Sequence, residues 1–215
     1  MAELVPLRGH RLLDIGCGRG DYTIVLAEGF DEVDAIDVEP ERLALLADSA
    51  PVGVRTHFMS GMDTTFADAT FDMVTAIEVL EHVRDPTALF AEVSRILVPG
   101  GAFLLTTPNR LWPFEQHGVT VGRRHFSGLA MPGVTWIPAL HRRVSDADAF
   151  TLSRIRRYAS HAGLDVIGFR TMMPPLDSRP DGSFAHRALE RASATALKHL
   201  AQTIIGGFRK PAEAR

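Results

Sequence analysis

One cysteine, Cys17, stands in 215 residues. An internal disulfide framework is therefore excluded, and the usage suits a reducing, cytoplasmic setting. No apolar run reaches the roughly 18 to 20 residues of a spanning helix, and the opening MAELVPLRGH has neither the basic flank nor the apolar core of a signal peptide. Charge of one sign is also scarce. The 23 basic and 26 acidic residues are intermixed and leave a formal net charge of −3, so no global basic field recruits nucleic acid. Repeats and low-complexity segments are absent. The length suits one soluble domain with a buried core, while two independent domains would be cramped.

What is present begins with Arg11 to Tyr22, RLLDIGCGRGDY. An apolar strand-like run, Leu12 to Ile15, breaks into Gly16-x-Gly18-x-Gly20 just before a helical pattern over Tyr22 to Glu28. Glycines there let backbone approach a bound nucleoside and permit positive φ. A dinucleotide fingerprint would place its third glycine one residue later. Cys17 reads either as a small residue packed beneath this turn or as a reactive thiol.

Strand and helix patterns then alternate. Glu32 to Val38 reads as a strand ending at Asp37, and Pro40 to Ser49 as a helix with Leu43, Leu46 and Ala47 inward. A third strand alternates Val54, Thr56 and Phe58 against Arg55, His57 and Met59, and Phe71 to Ile77 makes a fourth. Asp85-Pro86 caps a helix carrying Leu89, Phe90, Val93, Ile96 and Leu97 inward, ended by Pro99-Gly100-Gly101 before a fifth strand, Ala102 to Thr107. Five such alternations predict an α/β, doubly wound, mostly parallel sheet with helices on both faces. Ligands of such sheets sit beyond the carboxyl ends of the strands. That rule gathers Gly16 to Gly20, Asp37, Ser60 to Asp63, Glu78 to His82 and Asn109 around one crevice.

Periodicity fails from Arg110 to Phe150, which reads as a lid or acceptor-binding insertion within one domain spanning 1–215. Trp112, Phe114, Phe126 and Trp136 there would wall an apolar acceptor or simply pack the lid. Arg123-Arg124-His125 and His141-Arg142-Arg143 are its basic clusters. A helix capped by Thr151 comes next, with Arg154, Arg156 and Arg157 outward, then a strand over Leu164 to Thr171. Residues 174–200 form a second acceptor-side segment, with a helix over Phe184 to Leu200. Gln202 to Lys210 reads either as an amphipathic, weakly membrane-binding end or as a further strand.

The glycine turn LDIGCGRG, with an acidic residue closing the next strand at Asp37, resembles the first two motifs of class I S-adenosylmethionine (SAM)-dependent methyltransferases. The resemblance implies a Rossmann-like seven-stranded sheet whose last strand is antiparallel. It also implies that Asp14, Gly16, Gly18, Gly20 and Ile77 border the cofactor, with Asp37 on the ribose hydroxyls and Val38 and Met62 against adenine. Relatives often carry an aspartate at the place of Ser60, for which Asp63 or a backbone carbonyl would substitute. Members also often carry helices ahead of the first strand, so here other segments close the pocket or the start has been trimmed.

EVLEHV over residues 78–83, followed by Asp85-Pro86, resembles ubiquinone-pathway O-methyltransferases. The E-x-x-E-H spacing also resembles small-RNA 2′-O-methyltransferases. By that likeness Glu78, Glu81 and His82 would hold a divalent metal, Mg or Zn, with His117 or His125 as a fourth ligand. Otherwise His82 and Glu81 act without metal as base or orienting group, beside Asn109 and His117. In the plainest reading Glu78 caps its strand, Glu81 faces solvent, His82 packs locally and Asn109 forms a turn. Expected activity is methylation of a hydroxyl on a small or lipid-linked acceptor. The rivals are an RNA 2′-O-methyltransferase, a SAM-binding protein without catalysis and a Rossmann-like NAD protein.

Overall fold

The computed structural model describes residues 1–115, 119–121, 124–126, 133–145, 147–172 and 201–212. Strand β1, Gly9–Ile15, leads through the glycine turn into helix α1, Thr23–Ala27, then β2, Phe30–Asp37, α2, Pro40–Ser49, and β3, Val54–Phe58. β4, Phe71–Ile77, is succeeded by a 3₁₀ turn, Leu80–His82, then α3, Pro86–Ile96, and β5, Leu97–Pro108. Beyond β5 lie a short hairpin, β6 Val119–Val121 with β7 Arg124–Phe126, and a 3₁₀ turn, Val134–Trp136. Helices α4, Pro138–Val144, and α5, Leu152–His161, then precede β8, Asp165–Met172, and β9, Thr203–Arg209.

Seven strands form one sheet in the order β3-β2-β1-β4-β5-β9-β8. The first five are parallel, while β9 runs antiparallel to both β5 and β8. Chain order reverses between β1 and β4, the switch point where an open α/β sheet leaves a crevice. The period-two pattern divides the core. Leu13, Ile15, Val74, Phe103 and Leu105 pack with α3 and α5 on one face, while Leu12, Val33, Met73 and Leu104 pack with Leu26 of α1 on the other. Leu43 and Leu46 of α2 cover Cys17 and Ala35. Burial, reinforced by the nearby Asp14 and Asp37 charges, pushes the Cys17 thiol up to about 12, which disfavours the thiolate and favours the packing reading.

Caps set two helix starts: Asp85 accepts from the Thr87 and Ala88 amides, and Thr151 from that of Arg154. The third-strand alternation fails at Phe58, which is 67% exposed, and Ala47 is exposed as well. β3 is an edge strand, so its faces are not equally covered. The Pro99-Gly100-Gly101 turn interrupts β5 rather than preceding it: Leu97 already pairs with Phe71, and Ala102 resumes beside Met73.

Arg154 does more than keep α5 soluble. It donates to Asp148 and to Tyr158, 2.8 Å each, and its guanidinium lies 4.6 Å from the Phe150 ring centroid. The insertion leaves and rejoins the sheet at one point, because Asn109 and Phe150 form a bridge. Inside it His141 is buried on Glu115, which removes it from the basic cluster expected there. The membrane-binding reading of Gln202 to Lys210 is overturned, since Thr203 to Phe208 lie buried between β5 and β8. The expected Phe184 to Leu200 helix and the 174–200 segment fall outside the described residues.

Candidate active site

Each strand at the switch point contributes the residues just past its end. Gly16 and Cys17 donate their amides to Ile36 O at 2.8 and 3.1 Å, which ties the glycine turn to the end of β2. Gly20, at φ +92°, brings the turn so close to α2 that a Cβ would lie 2.3 Å from Leu46 Cδ1. Its role is packing, and it lines no described cavity. Gly18 differs: at φ +56° a Cβ would meet nothing within 4 Å, leaving bare backbone open to the crevice.

Beneath the turn Asp14 is buried and accepts from Thr23 Oγ1 at 2.6 Å and Thr75 Oγ1 at 2.7 Å. Burial raises it to about 6 against those two bonds. Both oxygens face inward, so Asp14 supports the turn instead of touching a ligand. Asp37 is held in another way. Its Oδ2 accepts from Gly18 N at 2.8 Å and its Oδ1 from Glu39 N at 2.9 Å, orienting a carboxylate with lone pairs to spare toward the cavity it lines.

Two adjoining spaces share Gly16. The first, about 370 Å³, has apolar walls of Ile36, Val38, Met62, Val79 and Leu89, with Asp37, Ser60 and His82 among its polar lining. Val38 is 61% exposed yet turned to this cavity, an apolar side chain placed where a flat ring would cover it. Asp63 is exposed and outside the lining. The second space, about 460 Å³, is more polar and is lined by Gly18, Arg19, Tyr22, Arg42, Ile77 and Glu78. Arg19 sits inside the glycine motif, a position from which its place in the lining could have been expected. Val79 falls within the Glu78 to His82 stretch that the strand-end rule gathers, whereas Val83 and Arg84 lie beyond it and carry no such signal.

Glu78, at φ +54°, sets the direction of the chain through residues 79–82. Its amide donates to Thr106 Oγ1 at 3.0 Å, and that hydroxyl donates to Glu78 Oε1 at 2.7 Å. The reversal turns Glu81 inward. Glu81 is 3% exposed, accepts from Thr107 Oγ1 at 3.1 Å through Oε2, and leaves Oε1 buried without a hydrogen-bond partner. Burial, with the Glu78 charge next, pushes it up to about 8. The solvent-facing reading of Glu81 is thereby corrected. His82 goes the other way and lines the Val38 cavity.

Among the described residues no three His, Cys, Asp or Glu side chains gather to hold a metal. The backbone supplies the reason, since it turns Glu81 inward behind Glu78 and sends His82 to the Val38 cavity. His117 and the His125 side chain lie outside the described residues. Asn109, a candidate for touching the acceptor, has its amide engaged: Nδ2 donates to Ala201 O at 2.7 Å, and Oδ1 accepts from Leu111 N at 3.0 Å. It fixes the end of β5. No described helix is long and apolar enough to cross a membrane.

Arg19 stands at the polar end of the crevice beside Tyr22. Replacing it with alanine should weaken binding of SAM, which has a carboxylate, by about tenfold or more, and leave 5′-methylthioadenosine, which has none, almost unchanged. Parallel calorimetric titrations check this. Equal losses for both ligands would remove Arg19 from carboxylate recognition.

A family model described as a methyltransferase domain matches residues 2–168. The ubiquinone biosynthesis O-methyltransferase of Xanthomonas oryzae pv. oryzae is 40% identical over 111 residues, 49% of this chain and 46% of that protein. The match therefore spans about half the length of that relative. Among solved structures, a SAM-dependent methyltransferase from Mesorhizobium loti gives a TM-score of 0.68 at 20% identity, over 96% of this chain and 94% of that one. The [4+2]-cyclase SpnF gives 0.64 at 20% identity, over 98% and 79%. Likeness at that identity speaks for the fold alone. The domain match, by contrast, runs through the glycine turn, Asp37 and the Glu78 reversal and on into β8, and by it the chain belongs to the class I SAM-dependent methyltransferase family.

Proposed function

We propose that the protein methylates a hydroxyl of a small-molecule or lipid-linked acceptor, with SAM as donor. Bare backbone at Gly18, an oriented Asp37 carboxylate and an apolar cavity fit a nucleoside carrying an amino-acid tail. When bound, SAM supplies a sulfonium methyl group open to in-line displacement. The chain's part is to seat an acceptor oxygen on that line, exclude water and take away a proton.

The observation that carries the acceptor class is the Glu78–Glu81 pair. Glu78 lines the crevice, and Glu81 lies buried behind it with one oxygen unpaired and an affinity for protons raised to about 8. Carboxylates so placed suit an acceptor that must lose a proton near neutral pH, as phenolic hydroxyls do. Glu78 would meet the acceptor, and Glu81 would act through it as a positioning residue. The name of a relative matched over about half its length points the same way.

The test is to follow S-adenosylhomocysteine release with SAM and a panel of catechols and phenols, with and without chelator. Turnover of a hydroxyl acceptor, unaffected by chelator, is expected. SAM binding accompanied by turnover of amines or thiols alone would overturn the acceptor class.

A further inference from the structure

Glu81 is held from two sides. From β5, Thr107 Oγ1 donates to its carboxylate at 3.1 Å. From the closing end of the insertion, the Asp148 amide donates to its carbonyl oxygen at 2.9 Å. Asp148 therefore grips the main chain of the residue whose side chain Thr107 grips. The same segment is fastened to the end of β5, where the Phe150 amide donates to Pro108 O at 3.1 Å and the Arg110 amide to Phe150 O at 2.9 Å.

Asp148 lies between helices, so its own place depends on side-chain contacts. Its Oδ2 accepts from Arg154 Nη1 at 2.8 Å and its Oδ1 from the Ala149 amide at 2.9 Å. Arg154 is already fixed by other partners: Nε donates to the Tyr158 hydroxyl at 2.8 Å, and the guanidinium stands 4.6 and 5.7 Å from the Phe150 and Tyr158 ring centroids. Those partners are anchored in turn. Phe150 is 1% exposed, the Tyr158 ring lies 5.8 Å from that of Phe90 in α3, and Ile155 and Ala159 of α5 are fully buried. A continuous line of contacts thus runs from the α5 core through Arg154 and Asp148 to the Glu81 carbonyl.

We propose that Arg154 is a positioning residue for methyl transfer: through Asp148 it fixes the main chain at Glu81, and with it the Glu78–Glu81 pair, an inference that rests on the role given to that pair above. Arg154 lines neither described cavity, so its effect on the acceptor passes through the turn. Glu78 and Glu81 stand on one chain reversal, and slack at the Glu81 carbonyl loosens both carboxylates. The same contacts tie the carboxylate pair to the point where the insertion rejoins the sheet.

The first test is amide hydrogen exchange, followed by NMR on the full chain, and needs neither SAM nor acceptor. Arg154→Met keeps the apolar stem beside Phe150 and loses the charge, whereas Arg154→Lys keeps a cation opposite Asp148. In the Met variant the Asp148 amide should lose about tenfold in protection and the His82 amide, which donates to Val79 O across the turn, about threefold, while Ile155 and Ala159 keep theirs. Lys should recover most of both losses. Unchanged protection at Asp148 or His82, an equal loss along α5, or no recovery with Lys overturns the proposal. Asp148→Asn should reproduce the two losses, adding nothing to those of Arg154→Met, and decides the matter alone if the Met variant does not fold. The second test is turnover with the catechols and phenols. For Arg154→Met kcat should fall about fivefold or more with KM for SAM within about twofold, and the loss should largely disappear in a Glu81→Gln background. An equal loss in both backgrounds overturns the route through Glu81. Absence of turnover with every hydroxyl acceptor refutes the proposed function instead, and the exchange data still decide whether Arg154 holds the turn.

Discussion

Asp37→Ala weakens SAM binding by at least about a hundredfold while the protein still melts cooperatively. The magnitude comes from two hydrogen bonds between ribose hydroxyls and a carboxylate, about 1.5–3 kcal/mol each. The carboxylate is also oriented in advance by the Gly18 and Glu39 amides, so binding need not arrange it. Removing it leaves two amides at a turn that water reaches, a modest penalty for folding. Calorimetric titration beside a thermal melt separates these effects. Near-parental affinity would sink the ribose assignment, and an unfolded variant would show the clamp to be structural. Asp37→Asn, which retains an acceptor, should lie between the two.

Glu81→Gln should slow turnover at least about tenfold and flatten the dependence of stability on pH. In the folded protein Glu81 binds its proton until about pH 8, held there by burial and by Glu78, whereas its ordinary value is 4.5. Between those values the folded state keeps a proton that the unfolded state has released, so stability falls as pH rises through that window. Asp14, raised from 3.8 to about 6, adds a fall of the same sign lower down. Melting temperatures across pH 5 to 9 would show the slope, and the Gln variant should lose its upper part. In the parental enzyme the rate should climb with pH as the Glu78–Glu81 pair loses the proton held by Glu81 and frees Glu78 to accept one from the acceptor, and this limb should vanish in the variant. A variant that turns over slowly but keeps the limb would place the titrating group elsewhere.

Local pattern was legible where a single rule governs a segment. Helix α2 and strand β4 begin and end where their proline and their apolar run say they should, and Asp37 closes β2 as a strand-end carboxylate. The misreadings share one cause, surroundings that only the folded chain creates. Phe58 alternates correctly but sits on an edge strand. Arg154 has outward helical spacing, yet Asp148 and Phe150 fold over it. Asn109 has the composition of a ligand-binding strand end, and only Ala201, 92 residues on, reveals that its amide is engaged. Most consequential is Glu78, whose positive φ is not written in its side chain and which decides that Glu81 turns in while His82 turns to the apolar cavity.

Strand β9 also governs how the molecule comes into being. Arg209 pairs with Ala102, and Thr203 with Pro108, so strand β5 waits about a hundred residues of synthesis for its neighbour. Until then β5 offers an unpaired ladder of Phe103, Leu104 and Leu105 to any other extended chain, and β8 has no sheet to join. A nascent chain at that stage is a candidate for chaperone capture. Protein whose translation stops before residue 203 should accumulate as aggregate, even though its cofactor crevice is already fully encoded.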